Sequence, residues 1–344
     1  RGCMVGNNSA SVVADAVVKG TNDKDLGVLY DAMVYATEHV HPTVASTGRW
    51  GHEYYNELGY IPYDVNIPEN VARTLEYAFD DRALARFAEQ IGKSEEAAYF
   101  NEQSFNYKNV FDADICFVRG KTKEGKWRTP FAPLASSHRK DDYCEGNAWQ
   151  WSFFVPHDVE GLAALMGGKE RLAARLDSLF TMSSALEGDD VSGDISGLIG
   201  QYAHGNEPGH HTIYMYNKVG QPYKTQKYVN QVLTTLYNNT PDGICGNEDT
   251  GQMSAWYVFS ALGFYPMDPV SGQYELGAPL FEYAKIKLPS GADFIIKARN
   301  LSDSNIYVDK VFLNGEELKR TYITFEEVLQ GGELVFEMKG EDML

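Results

Sequence analysis

The chain has 344 residues, of which 43% are hydrophobic and 13% aromatic, and it carries a net charge of −18. That composition excludes disorder and gives length for one large domain or two ordinary ones. So acidic a chain is unsuited to nucleic acid or an anionic membrane, and suits a cation or a neutral, hydroxyl-rich ligand.

In chain order, residues 1–8 read as a loop and Ala10–Lys19 as a helix. Asp23 or Asp25 can cap a second helix that runs to Thr37. Residues 41–66 are irregular and rich in rings, with Trp50, Tyr54, Tyr55, Tyr60 and Tyr63 among glycines and prolines; a loop of this kind is expected to line a pocket, with Trp50 as a sugar contact. Residues 67–112 give the clearest pattern. Val71, Leu75, Ala78 and Phe79 recur at helical spacing, as do Ala97, Phe100, Tyr107 and Phe111 after a break at Gly92, with charges on the remaining faces. This predicts two antiparallel helices. A hairpin and loop follow over 113–144. Helices resume at 146–166, 169–180, 208–219, 222–238 and 250–262, several of them ended by glycine. Nine or ten helices in succession predict an (α/α) toroid, with an open solenoid disfavoured because no repeat of fixed length is present.

Near Asp268 the pattern changes. Lys285–Leu288, Phe294–Ala298, Ile306–Val308, Val311–Leu313 and Leu334–Phe336 read as strands separated by turns such as Asn314-Gly315. The expected division is a mainly α catalytic region over 1–267 and a small antiparallel β region over 268–344.

Three polar, glycine-containing stretches precede apolar helices: Asp141–Trp151, His204–His211 and Gly243–Gln252. In a ring of helices such starts face one rim, and their carboxylates converge. Two carboxylates on either side of a glycosidic bond are the minimum for its hydrolysis. Glu145 suits the protonated member, since Trp149 and Trp151 can desolvate it and raise its pKa. Asp249 suits the ionised member, between Gly246 and Gly251. For an inverting reaction their carboxyl groups should stand about 6.5–9.5 Å apart. Asn206 and Glu207 are hard oxygen donors suited to calcium, and the loop from Glu187 to Asp194 offers further oxygens without the spacing of an EF-hand. Zinc is disfavoured: His210 and His211 are adjacent, and no His-Glu-x-x-His occurs. The four cysteines, Cys3, Cys116, Cys144 and Cys245, are widely spaced and read as free thiols. No signal peptide or long apolar span is visible. The chain starts at Arg1 in mid-pattern, which reads as a fragment or a processed product.

Glu145-Gly146-Asn147-Ala148-Trp149-Gln150 with Val155-Pro156-His157-Asp158, then Gly197 to Pro208, then Gly246-Asn247-Glu248-Asp249 leading into Gln252–Tyr257, together resemble glycoside hydrolase family 92, the exo-acting α-mannosidases. The resemblance covers nearly the whole chain. It implies an (α/α)6 barrel, calcium dependence, inversion at the anomeric carbon and a secreted or periplasmic protein acting on mannosyl oligosaccharides, with α-1,2 linkage favoured. It implies Asn206 and Glu207 at the calcium site with Asp249 adjoining, Asp249 as general base and Glu145 as general acid. Asn247, often Asp in the family, would orient water. Glu187 would meet the leaving sugar, and His204 and Trp149 would face the substrate. The resemblance also implies an N-terminal β-sandwich usual in the family, expected to be supplied by another chain or removed. A catalytically incomplete glycan-binding fragment is the alternative.

Overall fold

The computed structural model describes residues 5–20 and 25–341, except the side chains of Ala45 and Ser46. Residues 1–4, with Cys3, and the candidate cap Asp23 lie outside the described residues. Two compact units are formed. The first holds residues up to Leu172 with Ser178–Ile195 and Ile199–Tyr202; the second holds Ala173–Asp177, Ser196–Leu198 and Ala203 onward.

The first unit begins with α1 (Ser9–Val18) and α2 (Leu26–Tyr35). Asp25 caps α2 through its carboxylate, which accepts from the amides of Gly27 and Val28. The ring-rich loop is more ordered than its composition implied. Val40–His41 pairs with Val44–Gly48, and α3 (His52–Leu58) is bracketed by Gly51 and Gly59, both with positive φ. The expected helical pair is present as α4 (Asn70–Gln90) and α5 (Ser94–Gln103), turned at Gly92 with φ 78°. Tyr107 and Phe111 lie past the end of α5, in a 3-10 turn and a short strand.

Four charges of α4 are not on a solvent face, unlike the exposed pair Arg86–Glu89 near its end. Arg73, Glu76, Asp80 and Asp81 are all buried, and distant segments supply partners for Asp80 and Asp81. Arg49, 1% exposed, sits 2.6 Å from Asp81 and lies over the rings of Tyr55 and Tyr77. Asp80 accepts from the Asn7 amide and the Ser11 hydroxyl, which fastens α1 to α4. Burial pushes the Asp80 carboxyl up to about 6, against the opposing pull of Arg49. A raised carboxyl favours the folded state below its unfolded value, and that contribution is lost as pH rises through about 6. Removing one partner of a buried ion pair strands the other charge. Arg49→Ala is therefore expected to destabilise the protein by about 3–5 kcal/mol, measured by denaturant unfolding; a change below about 1 kcal/mol would show that the pair contributes no more than a surface bridge.

Three further helices, α6 (Ala148–Trp151), α7 (Val159–Met166) and α8 (Lys169–Thr181), follow. The sequence predicts one helix over 146–166, but two form. Pro156 disfavours helix at the residue before it, and Asp158 restarts the helix by accepting from Gly161 N at 2.9 Å.

In the second unit the expected helix over 208–219 is broken as well. Two 3-10 turns, Glu207–Gly209 and Thr212–Tyr214, precede α9 (Met215–Lys218). A backbone carbonyl that a helix would use is taken by a side chain: Trp256 Nε1 donates to His210 O. Next come α10 (Pro222–Thr235), α11 (Gln252–Ala261) and α12 (Phe325–Gln330). A five-stranded sheet has the order Tyr283–Lys287, Asp293–Arg299, Gly332–Lys339, Tyr307–Leu313, Glu316–Glu317. It is antiparallel except for one pair, Asp293–Arg299 with Gly332–Lys339. Parallel neighbours need a long crossover, here the stretch that includes α12. The two strands predicted over 306–313 are one, continuous through a bulge between Val308 and Lys310. Its core, with Ile296, Leu334 and Phe336, also takes in Phe264 and is flanked by Phe259 and Leu262. The end of α11 thus packs with the strands, so the compact unit does not break at 267/268.

Candidate active site

Both carboxylates singled out in the sequence occupy left-handed backbone, with φ 48° at Glu145 and 43° at Asp249. Non-glycine residues adopt this region at a cost and concentrate at functional sites.

Glu145 lies in the first unit, half-buried at the end of a tightly latched loop. Asp141 accepts from the amides of Ser137 and Tyr143, and Asp142 from Gly120 N and Arg128 Nε, so these two acids are structural. The same two residues' carbonyls receive the amides of Glu69, Val71 and Ala72 at the start of α4. Beyond Glu145, Asn147 caps α6 in a reciprocal box with Gln150. Trp151 Nε1 donates to Cys144 O at 2.8 Å, and its ring would collide with any Cβ at Gly146. The Glu145 carboxyl is raised above its ordinary value, first by burial and then by the charges of Asp194 and Glu69; His138 and Arg139 oppose the shift. Such a carboxyl keeps its proton to higher pH than an exposed one.

Glu69, His138 and Arg139 were not singled out from the sequence, and Asp194 was read only as one of several loop oxygens, not as a neighbour of Glu145. Glu69 is buried, holds φ 58° and pairs with Arg73 at 3.0 Å. The one sequence signal was its place after Pro68 at the start of the longest helical pattern. Glu187 is exposed on the strand Glu187–Asp190, which pairs with Ala135–Ser137. Two expected sugar contacts are otherwise engaged. Trp149 is 8% exposed and meets Phe117 edge-on at 5.0 Å, so it walls the loop and offers little face to a sugar. The ring of Trp50 is covered by the Arg73 guanidinium, 5.0 Å from its centroid.

In the second unit two of the polar stretches meet through glycines. A Cβ on Gly246 would lie 2.5 Å from Gly205 O, and one on Gly205 would lie 2.0 Å from Ser196 Oγ. Only hydrogen at these positions lets the 204–207 and 245–249 backbones touch. The Asn206–Glu207 turn and the Asn247–Asp249 stretch each begin one residue past this Gly205–Gly246 contact. Asn247 and Asp249 are exposed, Asn206 and Glu207 half-buried. The neighbour of Asp249, Glu248, is committed to the helix, accepting from Ser254 N and Ser254 Oγ at 2.9 and 2.8 Å. Asp249 is left facing solvent, with Thr250 and Gly251 also at positive φ.

His204, expected to face substrate, does not. It is fully buried, pairs with Tyr237 Oη at 2.7 Å and stacks on His210 at 4.7 Å. Desolvation, then His210, holds its pKa well below the usual histidine value, and burial lowers His210 to about 4. Both imidazoles are neutral braces behind the Asn206–Glu207 turn.

A metal at that turn would be held by few protein groups. Among the described residues no three His, Cys, Asp or Glu side chains are gathered to hold an ion. The donors present are the Asn206 carboxamide and the Glu207 carboxylate, whose Oε1 is shut off from solvent. Hard oxygens of this kind fit calcium that completes its shell with ligand or water oxygens, and do not fit zinc.

Residues 1–340 match the profile of the glycosyl hydrolase family 92 catalytic domain. The chain belongs to glycosyl hydrolase family 92. It is similar to a solved family 92 inverting mannosidase of Bacteroides thetaiotaomicron, at 42% identity and TM-score 0.89, with 98% of this chain and 46% of that one covered. A second family 92 α-mannosidase from the same organism, solved with mannoimidazole, matches at 38% identity and TM-score 0.90 over 98% of this chain and 44% of its own. An uncharacterized secreted glycosidase of Arthroderma benhamiae is 30% identical over 98% of this chain and 45% of its own length. The chain thus spans less than half the length of each of these relatives. The expected fold class, an (α/α)6 barrel followed by a β region, is that of the solved family members it matches. Among the described residues no helix is long and apolar enough to cross a membrane.

Proposed function

We propose that this chain supplies the catalytic groups of a secreted or periplasmic, calcium-dependent, inverting exo-α-mannosidase that releases mannose from mannosyl glycans, with α-1,2 linkages favoured. The observation that carries the reading is Glu145, a half-buried carboxyl raised by burial beside two further acids and held in left-handed backbone. Mannoimidazole bound to one solved mannosidase supports mannose as the sugar, and a solved inverting mannosidase supports inversion. The secreted fungal relative supports export.

In this reading Glu145 donates its proton to the departing glycosidic oxygen as the bond from the anomeric carbon to that oxygen breaks. Asp249 takes a proton from the water whose oxygen bonds to the same carbon from the opposite face. Asn247 accepts from or donates to that water to hold its orientation. Asn206 and Glu207, with Asp249 adjoining, would hold calcium, which when bound supplies a hard positive charge for sugar hydroxyls. Glu187, exposed on its strand, is the group offered to the leaving sugar.

The test is α-1,2-mannobiose followed by NMR with and without a calcium chelator. The expected result is β-mannose as the first product, a loss of turnover of at least about a hundredfold on chelation, and recovery on adding calcium. Turnover indifferent to the chelator would remove Asn206 and Glu207 from the chemistry. The chain's limited span of its relatives favours a second reading, a glycan-binding portion without turnover. Heat of binding for mannobiose with no mannose released, measured on this chain, would establish it.

A further inference from the structure

Gln201 is completely buried, and every hydrogen-bonding atom of its carboxamide is used. Its Oε1 accepts from Asn147 Nδ2 at 3.0 Å, and its Nε2 donates to the carbonyls of Ser183 and Ala185 at 2.8 and 2.9 Å. Its backbone is fixed as well: Gln201 O accepts from Gln150 Nε2, and Gln201 N donates to Leu179 O. Asn147 is the cap of α6, two residues from Glu145.

The loop carrying Glu145 has a second clamp at its other end. Ala135–Ser137 pairs with Glu187–Asp190, and His138 N donates to Asp190 O at 2.8 Å. The segment 183–185 that Gln201 holds runs directly into that strand. The loop is therefore gripped at residues 135–138 and at residue 147, and both grips lead back to one side-chain amide. A carboxyl in a costly left-handed conformation stays there only if its flanks are fixed. Asp141 and Asp142 latch the middle of the loop, but neither reaches past Glu145 to α6.

We propose that Gln201 is a positioning residue for Glu145: its buried carboxamide joins the two clamps of the loop and so fixes where the Glu145 carboxyl stands. The role rests on Glu145 being the general acid. A group that acts through the acid matters most when the leaving group needs a proton. Gln201→Leu keeps the size of the side chain and deletes all three side-chain hydrogen bonds.

The experiment compares the intact protein with Gln201→Leu on two substrates, α-1,2-mannobiose and 2,4-dinitrophenyl α-mannoside, whose leaving group needs no proton. Expected are a fall in kcat on mannobiose of about tenfold to a hundredfold, little change in KM, and kcat on the aryl mannoside close to the parent's. The alkaline limb of the pH profile on mannobiose should also move. A variant that only disturbs folding lowers both substrates by one factor. Equal losses, or none, would overturn the role. Should Gln201→Leu fail to fold, Asn147→Ser takes its place, because serine still caps α6 but removes the donor to Gln201; the same outcomes apply. Glu145→Gln is measured alongside. If it separates the two substrates and the Gln201 and Asn147 variants do not, the positioning role alone fails. If Glu145→Gln does not separate them either, the acid assignment fails with it.

Discussion

Glu145→Gln is expected to lower kcat on α-1,2-mannobiose by about 10²- to 10⁴-fold while sparing most activity on 2,4-dinitrophenyl α-mannoside. The amide is nearly the same size as the carboxyl and has no proton to give. An alkoxide leaving from the anomeric carbon of mannobiose is a poor leaving group and needs that proton as the bond breaks. Dinitrophenolate departs without it. The variant should also lose the alkaline limb of the pH profile. The direction follows from the environment. Burial, with Asp194 and Glu69, raises the Glu145 carboxyl. The protonated form is the active one, so activity is full below that raised value and declines as pH climbs through it. Parent turnover on mannobiose that stays level from pH 5 to pH 9, or a Gln variant as active as the parent on mannobiose, would sink the assignment.

The charges around Glu145 tune it in a way that a single-residue reading could not supply. The sequence points to Trp149 and Trp151 as the source of desolvation. In the structure Trp151 is tied to Cys144 O and Trp149 to Phe117, and they do wall the loop. The acids that add to the shift, Glu69 and Asp194, arrive from positions 76 residues before and 49 after, and no local pattern marks them as neighbours.

The same distinction runs through the rest of the chain. What depends on neighbours in sequence is legible: the α4–α5 turn at Gly92, the cap at Asp25, the Asn314-Gly315 turn of the last sheet, with φ 52° and 87°. What depends on distant partners is not. Asp80 and Asp81 sit on helix positions that look like a solvated face, and become interior only because Asn7, Ser11 and Arg49 are folded against them. His204 looks like a ligand beside Asn206 and Glu207, and becomes a brace because Tyr237, His210 and Trp256 surround it. Polar residues near a site can contact substrate or support the residues that do, and spacing alone does not separate the two. Glycines are more informative. Gly205 and Gly246 mark, in sequence, a place where two site loops need hydrogen in place of a methyl.

Asp249→Asn should produce the opposite substrate pattern to Glu145→Gln. The base acts on the attacking water, and the quality of the leaving group does not relieve that need. Turnover is expected to fall by about 10²- to 10⁴-fold on mannobiose and on the dinitrophenyl mannoside alike, with KM little altered. The neighbouring carboxylate provides the control. Glu248 spends both oxygens on Ser254 at the start of α11, so Glu248→Ala should reduce stability by about 1 kcal/mol and leave kcat per folded molecule near the parent's. Azide sharpens the test, because it needs no base to attack. Added to Asp249→Ala with the dinitrophenyl mannoside, it should restore turnover and form β-mannosyl azide, with the azide nitrogen bonded to the anomeric carbon and dinitrophenolate released. An α-azide product would mean that a second carboxylate attacks first and the reaction retains configuration. No rescue, together with a full loss of kcat in Glu248→Ala, would move the base one residue along the chain. The left-handed backbone at Asp249 and Thr250 argues against that outcome. It turns Asp249 out toward solvent, whereas the Glu248 side chain bonds back onto the start of α11.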